Sequence, residues 1–136
     1  MGKLNGSKKL YYTNEAKSYT QGVTNIQEES FYINDLREGV TKWYGKDDKL
    51  AVEYNYKNGL LEGIQKTFYE DGKSVQMEEL YKNNIPLEYK EYYKSGKVKL
   101  DGKYLSGKKN GEWKEYSEEG RVLKSTKYIN GEEKKK

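Results

Sequence analysis

The chain has 136 residues, with 26 basic and 22 acidic side chains and a net charge of +4. It has no Cys and no His, which excludes disulfides and thiolate metal sites and removes the commonest general base and metal ligand. Mean hydropathy is −1.21 and 33% of residues are apolar, too little to fill a thick core, and the mild, interleaved charge does not imply nucleic acid. Disorder is the next possibility, but 15 tyrosines argue against it, since disordered segments are poor in aromatics. No run approaches the roughly 18 apolar residues of a membrane span. The N-terminus carries no apolar signal region. The expected location is therefore cytoplasmic if the chain is complete, or periplasmic or surface-exposed if a signal has been removed.

Met1 to Lys9 reads as a polar, mobile lead-in. Leu10-Tyr11-Tyr12 reads as a first strand, Thr13 to Gly22 as turn-rich and irregular, and Gly22 to Ser30 as a short strand or loop. From Tyr32 the chain repeats itself, in units Tyr32–Asp48, Tyr56–Gly72, Tyr81–Gly96 and Tyr104–Gly120. Gly72, Gly96 and Gly120 are spaced 24 residues apart, with Asp48 one period earlier. Such a period signals a repeat architecture. Tyr128, Asn130 and Gly131 begin another copy, and residues 132–136 are expected to form a disordered tail. The whole is one repeat domain over 1–136: a degenerate cap over 10–31, then four repeats and the start of a fifth over 32–131.

Within a unit the signals are those of strands. Asn58-Gly59, Asp71-Gly72, Asn110-Gly111 and Asn130-Gly131 tolerate positive φ and form turns. They bracket runs of about six to eight residues, rich in Tyr, Trp, Val and Thr. Expected hairpin strands include Gly63–Glu70 with Lys73–Tyr81, and Leu87–Lys94 with Lys97–Leu105. Val75 to Tyr81 has helical propensity, which the repeat register overrides.

The pattern Y-x-x-G-x-x-x-G-x-x-x-x-Y/F-x-x-x-G-K/R, complete in Tyr56–Lys73 and Tyr104–Arg121, resembles the MORN repeat in its bacterial variant form. The Tyr32 and Tyr81 copies depart from it at Asp35, Asn84 and Leu87. The resemblance implies an all-β fold, an elongated, twisted antiparallel sheet of stacked β-hairpins. The chain also resembles the YwqK family of candidate bacterial antitoxins, which implies a protein partner, a toxin among the candidates.

Equivalent residues of stacked hairpins lie two strands apart, roughly 9–10 Å, and form columns. Tyr44, Phe68, Tyr92 and Tyr116 make one aromatic column; Tyr32, Tyr56, Tyr81, Tyr104 and Tyr128 make another. Both read as sheet packing. Lys42, Lys66, Lys90 and Lys114 form a basic stripe. It reads either as a surface for an anionic membrane or acidic partner, or as lysine stems covering rings, with Glu88, Glu91, Glu112 and Glu115 nearby. Trp43, Tyr69, Tyr89, Tyr93 and Trp113 are aromatics that the repeat does not require. Alternation sets them opposite the Tyr44 column, either as an exposed row suited to protein binding or as a second covered face or a dimer packing.

Catalysis is not expected. The paired acids, such as Glu28-Glu29 and Glu78-Glu79, point to opposite faces of a strand, and no metal or cofactor site is read. The expected protein is a binding scaffold, a monomer or an edge- or face-packed dimer. A membrane-surface module and a structural repeat of a secreted or surface protein are the alternatives.

Overall fold

The computed structural model describes residues 2–12 and 25–134. Among the described residues there are thirteen strands and no helix. They are β1 Gly6–Tyr11, β2 Ile26–Ile33, β3 Leu36–Arg37, β4 Gly39–Tyr44, β5 Leu50–Lys57, β6 Leu60–Leu61 and β7 Gly63–Phe68. Then come β8 Val75–Lys82, β9 Ile85–Tyr92, β10 Val98–Leu105, β11 Lys108–Tyr116, β12 Val122–Ile129 and β13 Glu132–Glu133. All pair antiparallel in one open sheet that follows chain order, with β3 continuing β4 beside β2 and β6 continuing β7 beside β5. The array of stacked hairpins expected from the repeat is therefore present, and Val75 to Tyr81 is strand.

Turn chemistry sets the register at both ends of the hairpins. At one end, two-residue turns place both central residues at positive φ: Asn34-Asp35, Asn58-Gly59, Asn83-Asn84, Ser106-Gly107 and Asn130-Gly131. That geometry matches the right-handed twist of the flanking strands and favours Asn and Gly. Successive turns are bonded to one another: Gly59 N–H donates to Arg37 C=O, Asn84 to Leu61 and Gly131 to Lys109, at 2.8–2.9 Å. At the other end, the 24-spaced position is the left-handed residue of each loop, Asp48, Gly72, Gly96 and Gly120.

Four expectations need correction. Asn110-Gly111 is not a turn: both residues lie inside β11, and Gly111 at φ 76 marks a shift of register against β10. Ser106-Gly107 makes the turn instead. Ser7 to Lys9, assigned to a mobile lead-in, pair with Phe31 to Glu29 of β2. The strand near Gly22–Ser30 begins at Ile26 and continues to Ile33. Glu132 and Glu133, assigned to the tail, pair with Ile129 and Tyr128. The stretch at 13–22, expected to be irregular, lies outside the described residues, as do residues 23 and 24.

Among the described residues the sheet is a single layer, with no second layer to supply a core. Among the described residues, Trp113 is the one buried hydrophobic side chain, 4% exposed. The other buried side chains are polar: Asn25, Glu28, Ser30, Thr41 and Gln65.

Candidate protein-binding surfaces

Strand alternation divides the side chains between two faces. One face, here the aromatic face, carries the tyrosine column Tyr32, Tyr56, Tyr81, Tyr104 and Tyr128. In register, each of the first four sits beside one residue of the next strand: Arg37, Leu61, Pro86 and Lys109. Arg37 fills its position with charge. Its guanidinium lies 5.3 Å from the Tyr32 ring, 5.7 Å from Trp43 and 5.6 Å from Tyr56. It also pairs with Glu28 at 3.3 Å and donates to Thr41 Oγ1 at 3.1 Å. Glu28 additionally accepts from Ser30 Oγ and Trp43 Nε1. Burial pushes its pKa up, but these donors and the Arg37 charge outweigh burial and hold it below the usual carboxylate range. A buried charge needs such pairing. At the far end, the Lys109 ammonium lies 4.6 Å from the Trp113 ring and 4.9 Å from Tyr128.

Trp113 is held by its neighbours. It stacks on Tyr89 at 5.6 Å, meets Tyr104 and Tyr128 edge-on, and donates from Nε1 to Lys103 C=O at 3.0 Å. It lies across Gly102, where a Cβ would come within 2.0 Å of the indole. The absence of a side chain at Gly102 is what lets the ring lie down on the sheet.

The five aromatics expected to form one exposed row do not do so. Trp43, Tyr89 and Trp113 share the aromatic face, and Trp113 is buried. Tyr69 and Tyr93 stand at the ends of hairpins, where their hydroxyls donate to the main-chain carbonyls of Tyr92 and Tyr116 at 2.5 and 2.7 Å. Tyr12 does the same to Tyr44. These hydroxyls tie one repeat to the next. Alternation alone could not show this, because the register shifts just before Tyr69 and Tyr93, at Thr67–Phe68 and at Glu91–Tyr92.

The opposite face carries the lysines. Lys42, Lys66, Lys90 and Lys114 do not form an unopposed positive stripe. In register across the sheet, Lys42 lies between Glu29 and Glu53, Lys66 between Glu53 and Glu78, and Lys90 between Glu78 and Asp101. Lys114 lies beside Asp101. The result is a ladder of alternating charge, in which opposite charges on neighbouring strands attract and the net field is small. Tyr44, Tyr92 and Tyr116 donate to Glu29, Glu78 and Asp101 of this ladder. Burial and the carboxylate bond push Tyr44 and Tyr92 up to about 12. The paired acids divide as expected: Glu28 and Glu79 belong to the aromatic face, Glu29 and Glu78 to the ladder face. Among the described residues no group of three or more acidic side chains is placed to hold a metal.

Sequence reading missed a row of aliphatic side chains on the ladder face. Ile33, Leu36, Leu60, Ile85, Leu105 and Ile129 flank the two-residue turns and are all exposed, Leu105 at 58%. Phe31, Val40 and Ile64 add exposed apolar surface further in. The available signal was positional: at least one residue flanking each two-residue turn is aliphatic, the other being Lys57, Lys82, Lys108 or Glu132 at all but the first. Arg37 was missed as well, and Glu28 and Glu79 were read only as paired acids, because each is a departure from the repeat that acquires meaning from its cross-strand neighbours.

No curated protein matches the chain. The family model of the MORN repeat variant matches four times, at residues 37–58, 61–83, 87–105 and 109–130. These matches cover the hairpins that build both faces from β3 through β12. With four matched repeats spanning most of the sheet, the chain belongs to the MORN repeat variant family, a general repeat and binding scaffold.

Proposed function

We propose that this chain is a non-enzymatic scaffold that binds a protein partner, and that the partner docks along the aliphatic row of the ladder face. The observation that carries this reading is the recurrence of exposed Leu36, Leu60, Ile85 and Leu105 along one margin, with Lys57 and Lys82 at the positions between the first three. Exposed apolar side chains gathered on one margin mark a contact site, and the lysines between them and the adjoining ladder of paired charges suit a polar rim. The finer reading, which follows from the antitoxin resemblance, is that the partner is a toxin neutralised by binding.

The test is recovery of a partner on the tagged chain from its source cells, compared with a Leu60→Lys/Ile85→Lys double variant. Both positions are exposed, so the variant is expected to fold. Loss of one specific partner supports the row, and unchanged recovery removes it. The toxin reading is tested by co-expression: growth inhibition by the candidate toxin should be relieved by the chain and not by the variant. The alternative of an anionic membrane surface depends on the lysine column, and the carboxylates in register with it weigh against that. Co-sedimentation with anionic vesicles at low salt is expected to show no binding.

A further inference from the structure

The position between Tyr81 and Tyr104 on the aromatic face, like the Arg37 site, sets a carboxylate among tyrosines, but at a different place in the repeat, two residues before the column tyrosine where Glu28 stands four, and among the described residues it has no cation. Of the residues on the following strand that pair with Tyr32, Tyr56, Tyr81 and Tyr104, the outer two, Arg37 and Lys109, are cations lying over rings. The inner two are Leu61 and Pro86. Two residues before each column tyrosine stand Ser30, Tyr54, Glu79, Gly102 and Thr126, and the single carboxylate among them is in the middle of the sheet.

Glu79 accepts a long hydrogen bond on each oxygen, from Tyr81 at 3.5 Å and from Tyr104 at 3.4 Å. Its cross-strand neighbours are Gln65 and Tyr89. The Gln65 amide is engaged elsewhere, with Asn55 N–H and Gly63 C=O. The Tyr89 hydroxyl donates to Glu91, which adds a second negative charge on this face. Among the described residues no Lys or Arg forms an ion pair with Glu79. Burial raises the pKa of Glu79, and the two phenols offset that only in part. The carboxylate is therefore a burden to the folded chain at neutral pH that a cation would relieve.

We propose that Glu79, with Tyr81, Tyr89 and Tyr104, accepts an arginine side chain of the protein partner. Arginine is chosen over lysine because the chain's own filled site pairs a guanidinium with a carboxylate and three rings. A planar guanidinium stacks on aromatic faces and forks onto a carboxylate, which an ammonium cannot do as well. The inference rests on the protein-binding reading for its occupant. It does not rest on the aliphatic row, which lies on the other face.

The test is titration of the whole chain with acetyl-Gly-Arg-Gly-amide, observed through the aromatic NMR resonances. The peptides with citrulline or lysine in place of arginine are run beside it. Saturable shifts at Tyr81, Tyr89 and Tyr104 are expected with arginine, and none with citrulline. In Glu79→Gln the affinity should fall about tenfold or more, the loss for one charge-assisted hydrogen bond, while unshifted Trp113 resonances show that the fold is intact. Equal binding by Glu79→Gln, equal binding of the citrulline peptide, or no shifts up to the peptide's solubility would overturn the site. Lysine binding as tightly as arginine would overturn the choice of occupant. If the arginine peptide fails while the Leu60→Lys/Ile85→Lys variant still loses its protein partner, this site alone is rejected.

Discussion

The two faces of the sheet use the same repeat in different ways. On the ladder face the pattern is nearly strict: acid, lysine, acid, lysine, each in register with the next, with a tyrosine or phenylalanine at the strand end. On the aromatic face the tyrosine column is periodic, but what lies between the rings changes from unit to unit: Arg37 with Glu28, then Leu61, then Pro86 above Glu79, then Lys109 with Trp113. Strict columns are what a single-layer sheet needs in order to stack, since each unit contacts only its neighbours. Positions free of that demand are where one unit can differ from the next, and here they differ mainly in charge. In a repeat protein, departures from the column are therefore better guides to function than the column itself.

The largest expected effect tests the aromatic face at Trp113, its buried ring. Trp113→Ala should lower stability by about 3–5 kcal/mol in urea unfolding, the usual cost of deleting a packed tryptophan. Gly102→Ala should also be strongly destabilising, because the added methyl collides with the indole. If either is tolerated without a shift in midpoint, the face is not organised around Trp113.

Breaking the filled cation site comes next. Glu28→Gln leaves Arg37 without its carboxylate and should cost about 2 kcal/mol at pH 7. Because the pKa of Glu28 is lowered by folding, this stabilisation is present above the ordinary carboxylate range. It is lost as pH falls through the lowered value. The difference between Glu28→Gln and the parent chain should therefore close in acid, as read from unfolding curves across pH.

A smaller effect tests the ladder. Lys90→Glu places a like charge between Glu78 and Asp101 and should cost about 1 kcal/mol. About 1 M salt should recover most of that loss, since salt screens exposed charges. A loss of the same size at high salt would mean that the lysine stem, and not its charge, matters.

The smallest effect has the opposite sign. Glu79 has its pKa raised by folding, so it favours the folded state most at low pH, where it is protonated. That advantage is lost as pH rises through the raised value. Among the described residues, Tyr81 on its own strand, Tyr89 and Glu91 on β9, and Tyr104 on β10 are the titratable groups around it, and none is cationic. Glu79→Gln should therefore leave the thermal midpoint at pH 7 unchanged or raise it, with the gain vanishing in acid. A clear drop at pH 7 would make Glu79 a structural residue and not one kept for a partner.

Much of this was legible in the residues alone. The 24-residue spacing, the Asn-Gly turns and the left-handed column through Asp48 and Gly120 depend on local backbone chemistry, which acts within a few residues. So do the existence and order of the strands and the alternation that separates Glu28 from Glu29. What lies opposite what was decided only when the strands paired. Register placed Glu53 and Glu78 on either side of Lys66 and turned an expected basic stripe into a neutral ladder. Bulges at the strand ends sent Tyr69 and Tyr93 away from Trp43, Tyr89 and Trp113. Gly102 gave Trp113 room to lie flat, and cross-strand neighbours left Glu79 with tyrosines but no cation. Those outcomes depend on contacts between residues ten to twenty-five positions apart, which no local propensity encodes.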